Sequence, residues 1–195
     1  SFGTRVFDSV DLGEVLEYFG WSPLFWTWGL KGVYPAILKH KKYGEQATEV
    51  YRDAQELLKD IVENKRLRLR GVYSFWAAQS DGDDVELYTD ASLNESLGAF
   101  RFLRQQKEKP SDSTYYSLAD FVAPKSRGRT DSLGGFAVTA GPEVEEYAET
   151  FKQAHDDYRA IMTQALGDRF AEAMAEYMHK QVRDRWGFGL TENLE

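Results

Sequence analysis

The hydrophobic period of this chain changes twice, and that change limits the folds open to it. Between Gly44 and Arg66 the residues Ala47, Val50, Ala54, Leu57, Leu58, Ile61 and Val62 fall on one stripe, with charges elsewhere. That spacing predicts an amphipathic helix. At Leu67 the period drops. Leu67-Arg-Leu-Arg70 alternates, Gly71-Val-Tyr-Ser-Phe-Trp-Ala-Ala78 reads as a buried strand, and Val85-Glu-Leu-Tyr88 returns across the turn Asp81-Gly-Asp-Asp84 as its hairpin partner. From Pro142 the helical period comes back, with Val144, Tyr147, Phe151, Ala154, Tyr158, Ile161, Ala165, Ala173 and Tyr177 on one face. Helix, then strands, then helix is the order of an α+β fold, and not the alternation of a parallel sheet.

The remaining segments fit around this frame. Residues 1–10 are too short to define a core, although Phe2, Val6, Phe7 and Val10 are apolar. Asp11, with Glu14 three residues on, predicts a capped short helix over 11–19 ended by Gly20. Ala99–Arg104 reads as a short element, and the polar stretch Lys107–Thr114 with Pro110 as a surface loop. Ser117–Ala123 and Leu133–Thr139 read as strands joined by the basic, flexible connector Lys125–Asp131. Gly134-Gly135 permits close backbone approach or a positive φ. An unbroken C-terminal helix would run about 60 Å. Gly167 is the cheapest place to break it, and Trp186-Gly-Phe-Gly189 ends it.

Composition removes several function classes. The chain has 195 residues, with 24 Lys and Arg against 32 Asp and Glu, for a net charge of −8. That balance opposes nucleic-acid binding, which needs a basic footprint. Zero Cys excludes disulfides, thiolate metal sites and Cys nucleophiles, and fits a reducing, cytoplasmic setting. Three scattered His argue against an all-histidine metal site. No apolar run approaches the ~20 residues of a bilayer span. Ser1 stands where an initiator Met would, so an upstream portion is expected.

Four segments carry chemical possibilities. The Asp81–Asp84 turn packs its carboxylates too closely for a calcium loop and reads as a hairpin turn. In His155-Asp-Asp-Tyr158 the neighbouring side chains would diverge by about 100° on a helix; the plain reading is a partly solvated face with Tyr158 in the core. Asp168 and Glu172, at i and i+4, share a face. Their repulsion calls for a neutralising group, either a local partner such as Arg169 or a cationic ligand. Trp21-Ser-Pro-Leu-Phe-Trp-Thr-Trp28, with four aromatics in eight residues, is core or a stacking wall for a flat ligand. No Gly-rich phosphate loop or Ser–His–Asp order is present.

Read as words, several segments resemble the C-terminal reactivation domain of cobalamin-dependent methionine synthase. They are Trp21 through Leu38, Arg70-Gly-Val-Tyr73, Leu103-Arg-Gln-Gln106, Leu118 through Lys125, Gly135-Phe-Ala-Val-Thr139, His155-Asp-Asp-Tyr158 with Ile161-Met162, and Ala171 through His179. They follow the family order and cover nearly the whole chain. The resemblance implies a bent antiparallel sheet with flanking helices, and one activation domain over 1–195. It implies a module of a methyltransferase that binds S-adenosylmethionine and presents its methyl to cobalamin held by another domain, in cis or in trans. A flavodoxin-like protein or a reductase supplies the electron. By matching position, Glu172 belongs to the ligand pocket, Asp168 faces the site and meets the cobalamin module, and Trp21 joins the binding set; no catalytic nucleophile or metal ligand is implied.

Two departures go with the resemblance. Gly20 stands where the family has an Asp that holds the ligand's amino group. The family's Arg-Pro-Ala-Pro-Gly-Tyr-Pro motif belongs some way after Asn193-Leu194, so the domain is expected to be incomplete on its C-terminal side, to bind the ligand weakly or not at all, and to be inactive in isolation. The competing expectation is a degenerate paralogue that keeps the fold and binds a protein or a corrinoid protein.

Overall fold

A computed structural model describes residues 2–111 and 113–187. Five strands form one antiparallel sheet: β1 (Gly3–Val10), β2 (Leu69–Asp81), β3 (Asp84–Tyr88), β4 (Ser96–Arg101) and β5 (Asp131–Thr139). The hydrogen-bonded order is β1-β2-β3-β4, and β5 also pairs with β2. Helices are α1 (Leu12–Val15), α2 (Ser22–Thr27), α3 (Gly44–Glu63), α4 (Glu143–Gln153) and α5 (Asp157–Trp186). The α+β class expected from the period changes is what forms. The chain divides into two compact units, one of residues 1–5 and 73–136, the other of 6–72 and 137–195.

The helical unit is built on α3 and α5. Ala47, Val50, Ala54, Leu57, Leu58 and Ile61 of α3 are buried, as the stripe requires, and Val62 is half-buried. Asp11 caps α1 by accepting from the Gly13 amide at 2.8 Å, but the helix expected over 11–19 is one α turn followed by a 3-10 turn at Leu16–Tyr18. Glu14 does not close a capping box; its Oε2 accepts from the Tyr177 hydroxyl at 3.1 Å.

The C-terminal helical region breaks at 154–156, not at Gly167. His155 takes φ +58°, and the Asp156 carboxylate accepts from the Arg159 amide at 3.0 Å, starting α5. A capped N-terminus satisfies an amide that would otherwise be orphaned. Gly167 is instead the contact point between α4 and α5: a Cβ there would lie 2.5 Å from Val144 Cγ1. The turn also corrects the reading of His155–Tyr158 as a helix face. Tyr158 is 40% exposed, and its hydroxyl donates to Asp53 Oδ2 at 3.0 Å. Helix α5 ends at Trp186, with Gly187 in the left-handed region; Phe188 and Gly189 of the expected terminator lie outside the described residues.

In the strand unit, β2 and β3 form the expected hairpin, with Asp81 opposite Asp84. Each carboxylate of the turn meets a cation: Asp81 meets Lys125, Asp83 meets Arg104 and Asp84 meets Arg101. Lys125 also holds Glu86 at 2.5 Å, and Arg104 holds Asp120 at 2.8 Å. The connector read as flexible therefore begins with an anchored 3-10 turn, Lys125–Arg127. The strand expected at Ser117–Ala123 is a 3-10 turn, Leu118–Phe121, closed by a Ser117–Asp120 capping box. Its Ala119 and Val122 pack with Ala78, Val85 and Leu87 in this unit's core. The expected strand near Leu133 forms as β5. Gly135 there serves close approach, since a Cβ would lie 3.3 Å from the Trp76 ring.

Candidate functional site

Helix α5 carries the carboxylate pair. Its buried side is Met162, Leu166, Phe170, Ala173 and Met174. Asp168 and Glu172 fall between these positions and are both exposed, sharing a face as the i, i+4 spacing demands. Arg169 lies between them with its side chain only 13% exposed, and its Nη1 donates to Glu172 Oε2. The local partner expected for the pair is present, but for one member only. Among the described residues, Asp168 makes no hydrogen bond or ion pair. The face therefore presents one compensated carboxylate with a second oxygen to spare, and one uncompensated carboxylate a turn away.

The aromatic stretch divides its labour. Pro23 sits in the first turn of α2, where its missing N–H costs nothing. Leu24 and Phe25 turn into the core, and Trp26 is 59% exposed. Trp21 precedes α2 and is half-buried, with its ring 4.9 Å from both Phe19 and Tyr51. Phe19 stands edge-on to Phe170 of α5 at 5.2 Å. Trp21 thus reaches α5 through Phe19 and Phe170. Phe170 lies two residues from Asp168 and two from Glu172, which places it about 160° around the helix from each. No ring or polar contact joins Trp21 to either carboxylate among the described residues.

Gly20 precedes Trp21, is exposed, and has nothing within 4 Å of an ideal Cβ. The chain has space for a side chain there and supplies none. Sequence reasoning missed the aromatic pair that sets the 3-10 turn Leu16–Tyr18 against α5, Tyr18 edge-on to Tyr177 at 6.1 Å. The only signal was a Tyr in each of two helices distant in sequence.

Chemically, this arrangement can hold a cation. Among the described residues no cluster of three His, Asp or Glu could hold a metal ion. No helix of the described residues is long and apolar enough to cross a membrane.

Comparison with known proteins adds a family likeness. A sequence profile described as vitamin B12 dependent methionine synthase, activation domain, matches residues 11–195. The crystal structure of the MetH reactivation domain bound to AdoHcy is similar to this chain, with a TM-score of 0.92 and 41% sequence identity. The match covers 99% of this chain and 59% of that one.

Proposed function

Because this chain belongs to the activation-domain family of vitamin B12-dependent methionine synthase, we propose that it binds S-adenosylmethionine as a reactivation module of that enzyme. When bound, the ligand supplies a methyl group to cobalamin held by another domain, in cis or in trans, as a flavodoxin-like or reductase donor supplies an electron. The module binds and orients; its share of the rate is proximity. Reactivation then belongs to the assembled cytoplasmic methyltransferase and not to this chain alone.

The observation that carries this reading is the exposed carboxylate face of α5. A sulfonium and an ammonium are stabilised by nearby negative charge, and Asp168 offers a charge that no cation among the described residues cancels. Glu172 adds an acceptor whose position Arg169 holds. The AdoHcy ligand of the similar MetH structure supports a ligand of this class.

Calorimetric titration with S-adenosylmethionine tests the reading. Glu172→Gln should weaken binding about tenfold and cost less in stability than in affinity, because the side chain is exposed and its one partner is Arg169. Equal losses of affinity and stability would make Glu172 structural and refute its role.

Gly20 and the Arg169–Glu172 pair favour a second reading, a module that keeps the fold and binds a corrinoid protein without the methyl donor. Restoring a carboxylate at position 20 separates the two: Gly20→Asp should tighten S-adenosylmethionine binding by about one to two decades. No heat of binding in either protein would leave the second reading standing.

A further inference from the structure

The helical unit holds a cavity whose lining includes neither Asp168 nor Glu172. It measures about 530 Å³ and opens between α3, α4 and the start of α5, a size typical of small-molecule sites. Its floor is Leu57 and Met162, both buried. Tyr147, Phe151 and Tyr158 supply its rings.

Two of those rings repeat one arrangement. The Arg66 guanidinium stands 5.2 Å from the Tyr147 ring centre and pairs with Asp60 at 3.1 Å. The Arg159 guanidinium stands 6.0 Å from the Phe151 ring centre and pairs with Asp156 at 3.6 Å. Each cation is bracketed by a π face and a carboxylate, a combination that attracts positive charge from both sides. The third ring, Tyr158, stands edge to face with Trp28 at 5.9 Å, and the cation nearest its carboxylate is the largely exposed Arg52. The Tyr158 hydroxyl donates to Asp53, and Glu56 follows Asp53 by three residues on the same face of α3. Glu56 makes no hydrogen bond or ion pair among the described residues. The other oxygen of Asp53 pairs with the largely exposed Arg52, a surface contact of small worth. The lining counts Asp53, Glu56, Asp60 and Asp156 against Arg66 and Arg159; with Arg52 paired to Asp53 from the rim, the excess is one negative charge, that of Glu56.

We infer that this cavity binds a small organic cation, an alkyl-guanidinium or alkyl-ammonium. The charged head sits with Tyr158, Asp53 and Glu56, and the alkyl body lies on Leu57 and Met162. An anion is repelled by the lining, and a bare metal ion gains nothing from the apolar floor.

Agmatine, a guanidinium and an ammonium on a butyl chain, is the probe. The sequence holds three Met, namely Met162, Met174 and Met178, so methyl-labelled methionine gives a sparse NMR spectrum of the whole chain. At constant ionic strength, agmatine should shift the Met162 methyl saturably and leave Met174 and Met178 in place. Butylurea, with no charge, should not shift it. Glu56→Gln, at an exposed position without a partner, keeps the fold and should weaken agmatine about tenfold. A Met162 methyl that stays still, that responds equally to butylurea, or that titrates identically in Glu56→Gln overturns the site.

Discussion

At the scale of single residues, side-chain absence matters as much as presence. Gly20 and Gly167 both lack a Cβ, with opposite surroundings. Nothing stands near Gly20, so Gly20→Asp should fold as the parent does, with Tm by calorimetry as the check. At Gly167 a methyl would meet Val144 at 2.5 and 2.9 Å, and valine in a helix has little rotamer freedom to move aside. Gly167→Ala should cost about 1–3 kcal/mol in denaturant unfolding, even though alanine is the better helix former. Adding Val144→Ala should recover most of that loss; a recovery of nothing would place the strain elsewhere. The α5 pair was legible from sequence because i, i+4 spacing survives any tertiary context, and so was Arg169 as its neutraliser. Tyr158 was not. Its ring follows the helical period on paper, but the turn before it rotates the face, and its hydroxyl finds Asp53 at the surface.

Elements show where propensity misleads. Glycine is a poor helix former, which made Gly167 look like the break, yet its smallness is what lets α4 approach α5. The true break rests on His155 at a positive φ and on the Asp156 cap, features that many unbroken helices also carry in sequence. Ser117–Ala123 misled in the same way, since a capping box within an apolar run leaves it 3-10. The β2–β3 hairpin was legible from its alternation and turn, but its ionic clamp was not, because Lys125 and Arg104 are distant in sequence. The clamp carries a pH signature. Lys125 holds the Glu86 carboxyl down at about 2, and Arg104 holds Asp120 down at about 2. Both lie below their unfolded values, so folding gains their contribution above about pH 4.5 and loses it as pH falls toward 2. Circular dichroism from pH 6 to 2 should show the strand signal weakening across that window. Lys125→Met should lower stability near pH 6 and flatten the acid limb; an unchanged limb would mean that Glu86 is unpaired in solution.

Across the whole molecule, the change of hydrophobic period was enough to reveal the α+β class, because burial on one side of a helix or strand must show in the sequence. Strand connectivity was not legible. Strand β1 is too exposed to declare itself, and nothing local pairs β5 with β2. Three strands, β1, β2 and β5, run from one compact unit into the other, so each unit is made of two separate stretches of chain. On the proposed reading, the protein should restore turnover when added with S-adenosylmethionine and a reductant to an oxidised, cobalamin-loaded methionine synthase lacking this module, supplied with homocysteine and methyltetrahydrofolate and followed by methionine formation. Asp168→Asn should slow that recovery, and recovery at the same rate without the chain would deny it any role. The clearing beside Trp21 reaches into heredity. Every glycine codon becomes an aspartate or glutamate codon through one second-position transition. An acidic side chain at position 20 is therefore always a single base away, and the packing around it would offer selection no steric objection.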